Sequence, residues 1–281
     1  MSSNHSISKR NTAQTIRAAK GTTPVVCLTA YTAPLAQRLD PHVDVLLVGD
    51  SVGTVLYGMD NTVGVTLPLM AAHGKAVVRA STKACVVVDL PFGSYEASPA
   101  KAFESAAYLI KETGCNAVKL EGGEVMAETI AYLTARGIPV MSHIGLTPQH
   151  VHTMGYHAQG KTPKQQEQLL RDAKAVEAAG AFAVVLECVT EPMARKVTEI
   201  LAIPTIGIGA SPACDGQILV TEDMLGLTLG HVPKFVRQFA DIGAVIEKAA
   251  KDYRDAVLTK DFPSAKECYG VPVDAKQKEI A

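Results

Sequence analysis

Several features are scarce in this chain, and each scarcity closes a class of function. Charge imbalance is one: 27 Lys and Arg stand against 28 Asp and Glu in 281 residues, a formal net charge of −1. The basic excess that serves nucleic-acid binding is therefore missing. Long apolar runs are another. Although 47% of the residues are hydrophobic, the runs are only strand-sized, too short for a transmembrane helix. The segment Met1 to Asn11 is polar and lacks the apolar stretch of a secretory signal, which sets the expectation of a cytoplasmic protein with no membrane partner. The six cysteines (Cys27, Cys85, Cys115, Cys188, Cys214, Cys268) form no C-x-x-C pair. A disulfide framework or a zinc site is thus disfavoured, and most of these residues are expected to pack as small hydrophobes. No low-complexity linker divides the middle of the chain.

What is present is a rhythm of buried strand, loop and amphipathic helix. Apolar or β-branched runs occur at Pro24 to Leu28, Val43 to Val48, Ala84 to Val88, Ala117 to Leu120, Pro139 to Ser142, Phe182 to Leu186 and Pro204 to Ile208, with a weaker eighth at Lys234 to Phe239. They lack in/out alternation, as parallel strands covered on both faces do. Ser98-Pro99 reads as an N-cap and first helical residue. Phe103, Ala106, Ala107 and Ile110 then follow on one helical face. Gly114, Gly137 and Gly180 each end a helix directly before a strand. About eight βα units in roughly 250 residues match a (β/α)8 TIM barrel of class α/β. The competitor is a doubly wound open sheet, but no G-x-G-x-x-G follows the first strand, which runs into Thr29-Ala30-Tyr31-Thr32. The expected organisation is an N-terminal tail and short helix (1–22, the helix from Thr12 to Lys20), a barrel domain (23–259) and a C-terminal tail (260–281).

Barrel chemistry collects where strands end. Four expected strands finish on an acid: Asp50, Asp89, Glu121 and Glu187. One such acid commonly caps the next helix; four on separate strands converge on one pocket. Their repulsion has to be relieved by a cation or by raised pKa values. The donors are oxygen, without a histidine or cysteine cluster, so a hard cation such as Mg²⁺ fits better than zinc. Asp50 and Asp89 are the expected direct ligands, with Glu121 as a third ligand or the holder of a bound water. A cation held open in this way suits Lewis-acid activation of a carbonyl. Lys119 either binds a substrate oxyanion as a point charge or pairs with Glu121 or Asp89. Glu187 is either a general base in a desolvated pocket or an ordinary ion-paired carboxylate. His143 reads as a hydrogen-bonded structural histidine. His150, His152 and His157 show no metal-ligand spacing. Gly207 and Gly209, at the seventh strand end, mark either a phosphate site or a tight turn.

Seven segments in order resemble one family, ketopantoate hydroxymethyltransferase (3-methyl-2-oxobutanoate hydroxymethyltransferase). They are Gly49-Asp50-Ser51, Val65-Thr66-Leu67 through His73, Asp89-Leu90-Pro91-Phe92, Val118 to Gly123, His143 to Gln149, Leu186 to Val189, and Ile206 to Ala210 followed by Asp215-Gly216-Gln217. The resemblance covers about residues 12–262. It implies a (β/α)8 barrel that transfers a one-carbon unit from 5,10-methylenetetrahydrofolate to 3-methyl-2-oxobutanoate, giving 2-dehydropantoate for pantothenate and coenzyme A. It further implies that Asp50, Asp89 and Glu121 organise Mg²⁺, that Asp50, Ser51, Asp89 and Lys119 hold the keto acid, and that Glu187 accepts the proton. A homo-oligomer, commonly a decamer, is implied as well. The chain departs from the family pattern at Val151 to Lys161, apparently one glycine shorter and with His157 in place of lysine, and at Ser211. The alternatives are an Mg²⁺-dependent C–C lyase or phosphoenolpyruvate-mutase-like enzyme, and a weakly catalytic keto-acid-binding paralogue.

Overall fold

The structure is a computed structural model, and it describes residues 10–270 apart from His231. The first nine residues and 271–281, to which parts of both expected tails belong, lie outside the described residues. Eight strands run β1 (Val25–Thr29), β2 (Val45–Val48), β3 (Cys85–Asp89), β4 (Ala117–Glu121), β5 (Val140–Gly145), β6 (Ala183–Glu187), β7 (Thr205–Ile208) and β8 (Gly216–Leu219). All pairings are parallel and sequential, and β8 pairs back onto β1 to close the barrel. The helices are α1 (Ala13–Ala18), α2 (Ala33–Leu39), α3 (Val52–Val55), α4 (Leu67–Ala80), α5 (Pro99–Thr113) and α6 (Ala127–Thr134). They continue with α7 (Val151–Met154), α8 (Pro163–Ala178), α9 (Glu191–Ile200), α10 (Thr221–Met224) and α11 (Ile242–Thr259). None of the described helices is long and apolar enough to cross a membrane.

Strand parity divides the protein into two cores. Cys27, Val45, Leu47, Cys85, Val87, Ala117, Met141, Ala183, Val185, Ile206 and Ile218 fill the barrel interior, and Ala13 and Ile16 of α1 join them from the chain's N-terminal side. The intervening residues, such as Leu46, Val48, Val86, Val118 and Leu120, pack outward against Met70, Val77, Leu109, Ile130 and Leu133 of the helices. Burial on both faces explains why the strands read as continuous apolar runs. The inward positions change character along each strand. Cys85 and Val87 lead to Asp89, Ala117 to Lys119 and Glu121, Met141 to His143, and Ala183 and Val185 to Glu187. The lower interior is apolar; the upper interior is ionisable.

Seven strands fall within two residues of the expected starts, and the eighth does not. Lys234 to Phe239 holds no strand, and β8 is Gly216–Leu219. That strand carries only two apolar residues, Ile218 and Leu219, so it has no hydrophobic run to reveal it. Its place is set by backbone proximity: a Cβ on Gly216 would lie 2.4 Å from the Val25 carbonyl oxygen. The apolar face of α5 is also shifted. Ala102, Ser105, Ala106 and Leu109 are buried, while Phe103 and Ile110 only flank the core. The Ser98 cap and the left-handed Gly114 terminus are as expected. All six cysteines are free, and four are buried.

One carboxylate outside the upper interior anchors the barrel's lower rim. Asp40 is buried and accepts the backbone N–H groups of Thr82 (2.8 Å), Lys83 (3.0 Å) and Ala84 (2.8 Å). Burial raises its pKa, but these donors outweigh burial and hold it below the usual carboxylate range. Asp40→Asn is expected to cost about 1–3 kcal/mol in urea unfolding at pH 7. Because the folded-state value is depressed, this stabilisation is present above the unfolded value of about 3.9 and disappears as pH falls through the folded one. The difference between wild type and variant should therefore narrow below about pH 4.

Candidate active site

Asp50, Ser51, Asp89, Lys119, Glu121, His143 and Glu187 line one cavity at the C-terminal mouth of the barrel. The register brings them together. Asp89 sits opposite Lys119, Glu121 opposite His143, and Gly145 opposite Glu187 on neighbouring strands. Asp50 follows β2 in a turn that leads into α3, and its backbone N–H donates to Asp89 Oδ2 at 3.0 Å. The two acids are thus adjacent on one rim.

Charge is balanced locally. Lys119 Nζ lies 3.2 Å from Asp89 Oδ2, both side chains almost fully buried. Burial works against the Lys119 charge, but Asp89, Glu121 and Asp50 outweigh it and raise its pKa above the ordinary lysine value. Burial, then the neighbouring Asp89 and Glu121 charges, pushes Asp50 up to about 7. Burial raises Asp89 as well, against the pull of Lys119. For Glu121 burial is outweighed by His143, Lys119 and the Gln149 N–H, and its pKa is lowered. His143 Nδ1 lies 3.4 Å from Glu121 Oε1 and Nε2 lies 3.3 Å from Glu187 Oε2, without the alignment of a hydrogen bond at Nε2. Burial and the Lys119 charge oppose its protonation; the two glutamates prevail and bring its pKa to about 9. His143 thus stands between Glu121 and Glu187, with the Lys119 ammonium 3.4 Å from its Nδ1. Glu187 itself is only partly buried, its side chain 18% exposed.

The donor set suits a hard cation. Asp89 Oδ1 is buried and has no hydrogen-bond partner. Asp50 accepts Gln149 Nε2 at Oδ2 (2.8 Å), and Oδ1 accepts nothing from the described residues. Each aspartate therefore keeps one oxygen tied and one uncommitted. Among the described residues no three His, Cys, Asp or Glu side chains form a metal cage. Two carboxylates are what Mg²⁺ commonly takes, with water and substrate completing its shell. Glu121 is committed elsewhere, to the Gln149 N–H at 3.0 Å and to His143.

Three residues that sequence reasoning gave no role stand behind these groups. Tyr31 is buried, and its hydroxyl lies 2.7 Å from Ser51 Oγ. Tyr95 and Gln149 are buried beside Glu121 and Asp50. Gln149 closes a matched motif, but nothing around Tyr31 or Tyr95 in the sequence signals the site. The glycines at the end of β7 are accounted for by packing. A Cβ on Gly209 would stand 2.6 Å from the Phe235 ring, and one on Gly207 2.9 Å from Gln217 Oε1. The divergent loop is docked by Gln159, whose N–H donates to Cys188 O (2.8 Å) and whose carbonyl accepts Thr190 N–H (3.0 Å).

A closed parallel barrel whose mouth gathers buried carboxylates, a lysine and a histidine defines an α/β-barrel enzyme with its active site at the strand C-termini. Residues 10–265 match the family model described as ketopantoate hydroxymethyltransferase, and the chain belongs to that family. Among similar proteins, the 3-methyl-2-oxobutanoate hydroxymethyltransferase of Bordetella petrii is 61% identical over 267 residues, 95% of this chain and 97% of that protein. The protein of the same name from Sinorhizobium medicae is 56% identical over 268 residues, 95% of this chain and 98% of that one. Among solved structures, phosphonopyruvate hydrolase in complex with oxalate and Mg²⁺ superposes with a TM-score of 0.59 at 14% identity, covering 92% of this chain and 93% of that one. At that identity the likeness concerns the fold alone.

Gly145 tests the rim geometry. Its φ is +96°, and a Cβ there would lie 2.5 Å from the Glu187 carbonyl oxygen. Gly145→Ala combines left-handed backbone with a clash against rigid main chain, and is expected to cost at least about 2 kcal/mol in urea unfolding.

Proposed function

We propose that the chain transfers a one-carbon unit from 5,10-methylenetetrahydrofolate to 3-methyl-2-oxobutanoate, with water supplying the hydroxyl, giving 2-dehydropantoate and tetrahydrofolate. The observation that carries this reading is the pair of uncommitted oxygens on Asp50 and Asp89 in the same cavity as Lys119 and Glu187. Family membership supplies the reaction; the side chains supply the chemistry.

Carbon 3 of the keto acid is a weak acid, so its deprotonation needs help at the carbonyl. Asp50 and Asp89 would hold Mg²⁺ directly, with Glu121, tied to the Gln149 N–H and to His143, adding negative charge beside them. Bound there, Mg²⁺ supplies the Lewis-acid charge that favours removal of a proton beside a keto group. Lys119 and Ser51 hold the keto acid, Lys119 by its fixed charge and Ser51 by a hydroxyl that Tyr31 orients. Glu187 takes the proton from carbon 3, and the electron pair left there forms the bond to the one-carbon unit. Water has freed that unit from the folate as formaldehyde, with two C–N bonds broken and the nitrogens keeping two protons. The carbonyl oxygen of the unit then takes the proton from Glu187 and becomes the hydroxyl. His143, 3.3 Å from Glu187, orients this base and steadies its charge until the proton arrives. Positioning and electrostatic preorganisation of this kind carry most of such a barrier reduction.

Glu187→Gln is expected to lower turnover by about 10²–10⁴-fold, to abolish exchange of the carbon-3 proton followed by NMR in deuterium oxide, and to leave keto-acid binding intact. Parallel loss of binding would remove the base assignment.

We further infer a cytoplasmic homo-oligomer acting on small molecules, of the decameric size the family resemblance implies. The support is an exposed apolar stripe. No residue of α11 is buried against the described residues, and Val245, Ile246, Tyr253 and Val257 are exposed along it. On the barrel, Val26 of β1 is 48% exposed although it faces outward, where a barrel strand is ordinarily covered by a helix. These two bare surfaces suit each other across two copies of the chain. Val245→Glu combined with Tyr253→Glu should yield smaller species in sedimentation velocity.

A further inference from the structure

We propose that Gln149, locked in one orientation by Tyr95, positions Asp50 as a one-oxygen ligand and so makes the site favour Mg²⁺ over a larger divalent cation such as Ca²⁺. The inference rests on the reading that Asp50 and Asp89 hold a divalent cation, and it adds a residue pair and a selectivity that this reading does not contain.

Gln149 and Tyr95 are buried, 2% and 0% exposed. Gln149 Nε2 donates to Asp50 Oδ2 at 2.8 Å and to the Leu90 carbonyl at 3.0 Å. The Leu90 oxygen can only accept, so the amide cannot be reversed without turning its own oxygen against it. A second lock acts from the other end. The Tyr95 hydroxyl receives the Glu121 backbone N–H at 3.2 Å. Its single proton then goes to Gln149 Oε1 at 2.6 Å, a nearer acceptor than the Glu121 carbonyl at 3.3 Å. The Gln149 backbone N–H donates to Glu121 Oε2 at 3.0 Å. One residue from the loop after β5 therefore fixes carboxylates that arrive from β2 and β4.

The consequence is chemical. With Oδ2 committed, Asp50 cannot swing to grip a cation through both oxygens without stripping a buried amide of its partner, a costly loss. Asp89 is restrained in the same way, since its Oδ2 receives the Asp50 N–H and the Lys119 ammonium. Ca²⁺ takes 6–8 oxygens and often uses carboxylates as two-oxygen ligands, whereas Mg²⁺ demands an octahedron and accepts one oxygen from each. Two aspartates restricted to single oxygens therefore present what the smaller ion needs and the larger one lacks.

The test is direct metal binding by the full-length protein. Mn²⁺ binding is followed by electron paramagnetic resonance, with Mg²⁺ and Ca²⁺ as competitors. Gln149→Met should lose about 10–100-fold in Mg²⁺ affinity, while Ca²⁺ competes nearly as before, so that the Mg²⁺-to-Ca²⁺ ratio falls. Tyr95→Phe, which keeps the ring, should move the ratio in the same direction by about fivefold, the equivalent of one neutral hydrogen bond. A folded variant of either kind with the wild-type ratio overturns the proposal, even if its melting temperature drops, because a purely structural role predicts that pattern. If Gln149→Met does not fold, Tyr95→Phe decides alone. Failure of the wild type to bind Mn²⁺ overturns both this proposal and the metal reading. Wild-type metal binding without formation of 2-dehydropantoate overturns the assigned reaction and leaves this inference standing.

Discussion

Asp50, Asp89 and Glu121 crowd into the upper half of a closed barrel, and the need to hold three carboxylates there organises everything around them. Each is relieved differently. Asp89 has the Lys119 ammonium, Glu121 has His143 and a backbone donor, and Asp50 has only the Gln149 amide. The least compensated acid is therefore Asp50, whose pKa is pushed up to about 7. Acids and fixed positive groups therefore alternate around the mouth, and the negative surplus falls on Asp50. Breaking a buried pair here by removing one partner would leave an uncompensated charge, so the network holds its members together more than any single contact does.

The barrel supplies this geometry through strand parity. Inward positions separated by two residues lie above one another, so the same strands that seal the interior with Val87, Ala117 and Val185 raise Asp89, Lys119 and Glu187 above that seal. Neighbouring strands then bring unlike groups side by side, Asp89 with Lys119 and Glu121 with His143. Apolar packing below and ion pairing above are thus one pattern read at two heights.

That pattern is why so much was legible in the sequence. Seven strands show as apolar runs because both faces are buried, and the acids show because they end those runs. β8 escaped because Gly216 and Gln217 carry no hydrophobic signal and the strand is held by its approach to Val25. The shift of the α5 face has a similar origin: Ser105 is buried because its hydroxyl donates to the Ser94 carbonyl at 2.7 Å, a contact that hydropathy cannot register. Tyr31, Tyr95 and Gln149 could not be placed beside these groups from sequence for a related reason. Their contacts are hydrogen bonds between loops far apart in the chain, such as the 99 residues separating Asp50 from Gln149. The place of Glu187 at the end of β6 follows from the apolar run before it, but its partial exposure comes from the open mouth, which no local pattern encodes.

The short helix α1 closes the account in an unexpected direction. By joining Ala13 and Ile16 to the lower interior core, it stoppers that end of the barrel among the described residues. A molecule resting against Asp50 and Asp89 and a larger one lodged above it would then share the opening at the strand C-termini.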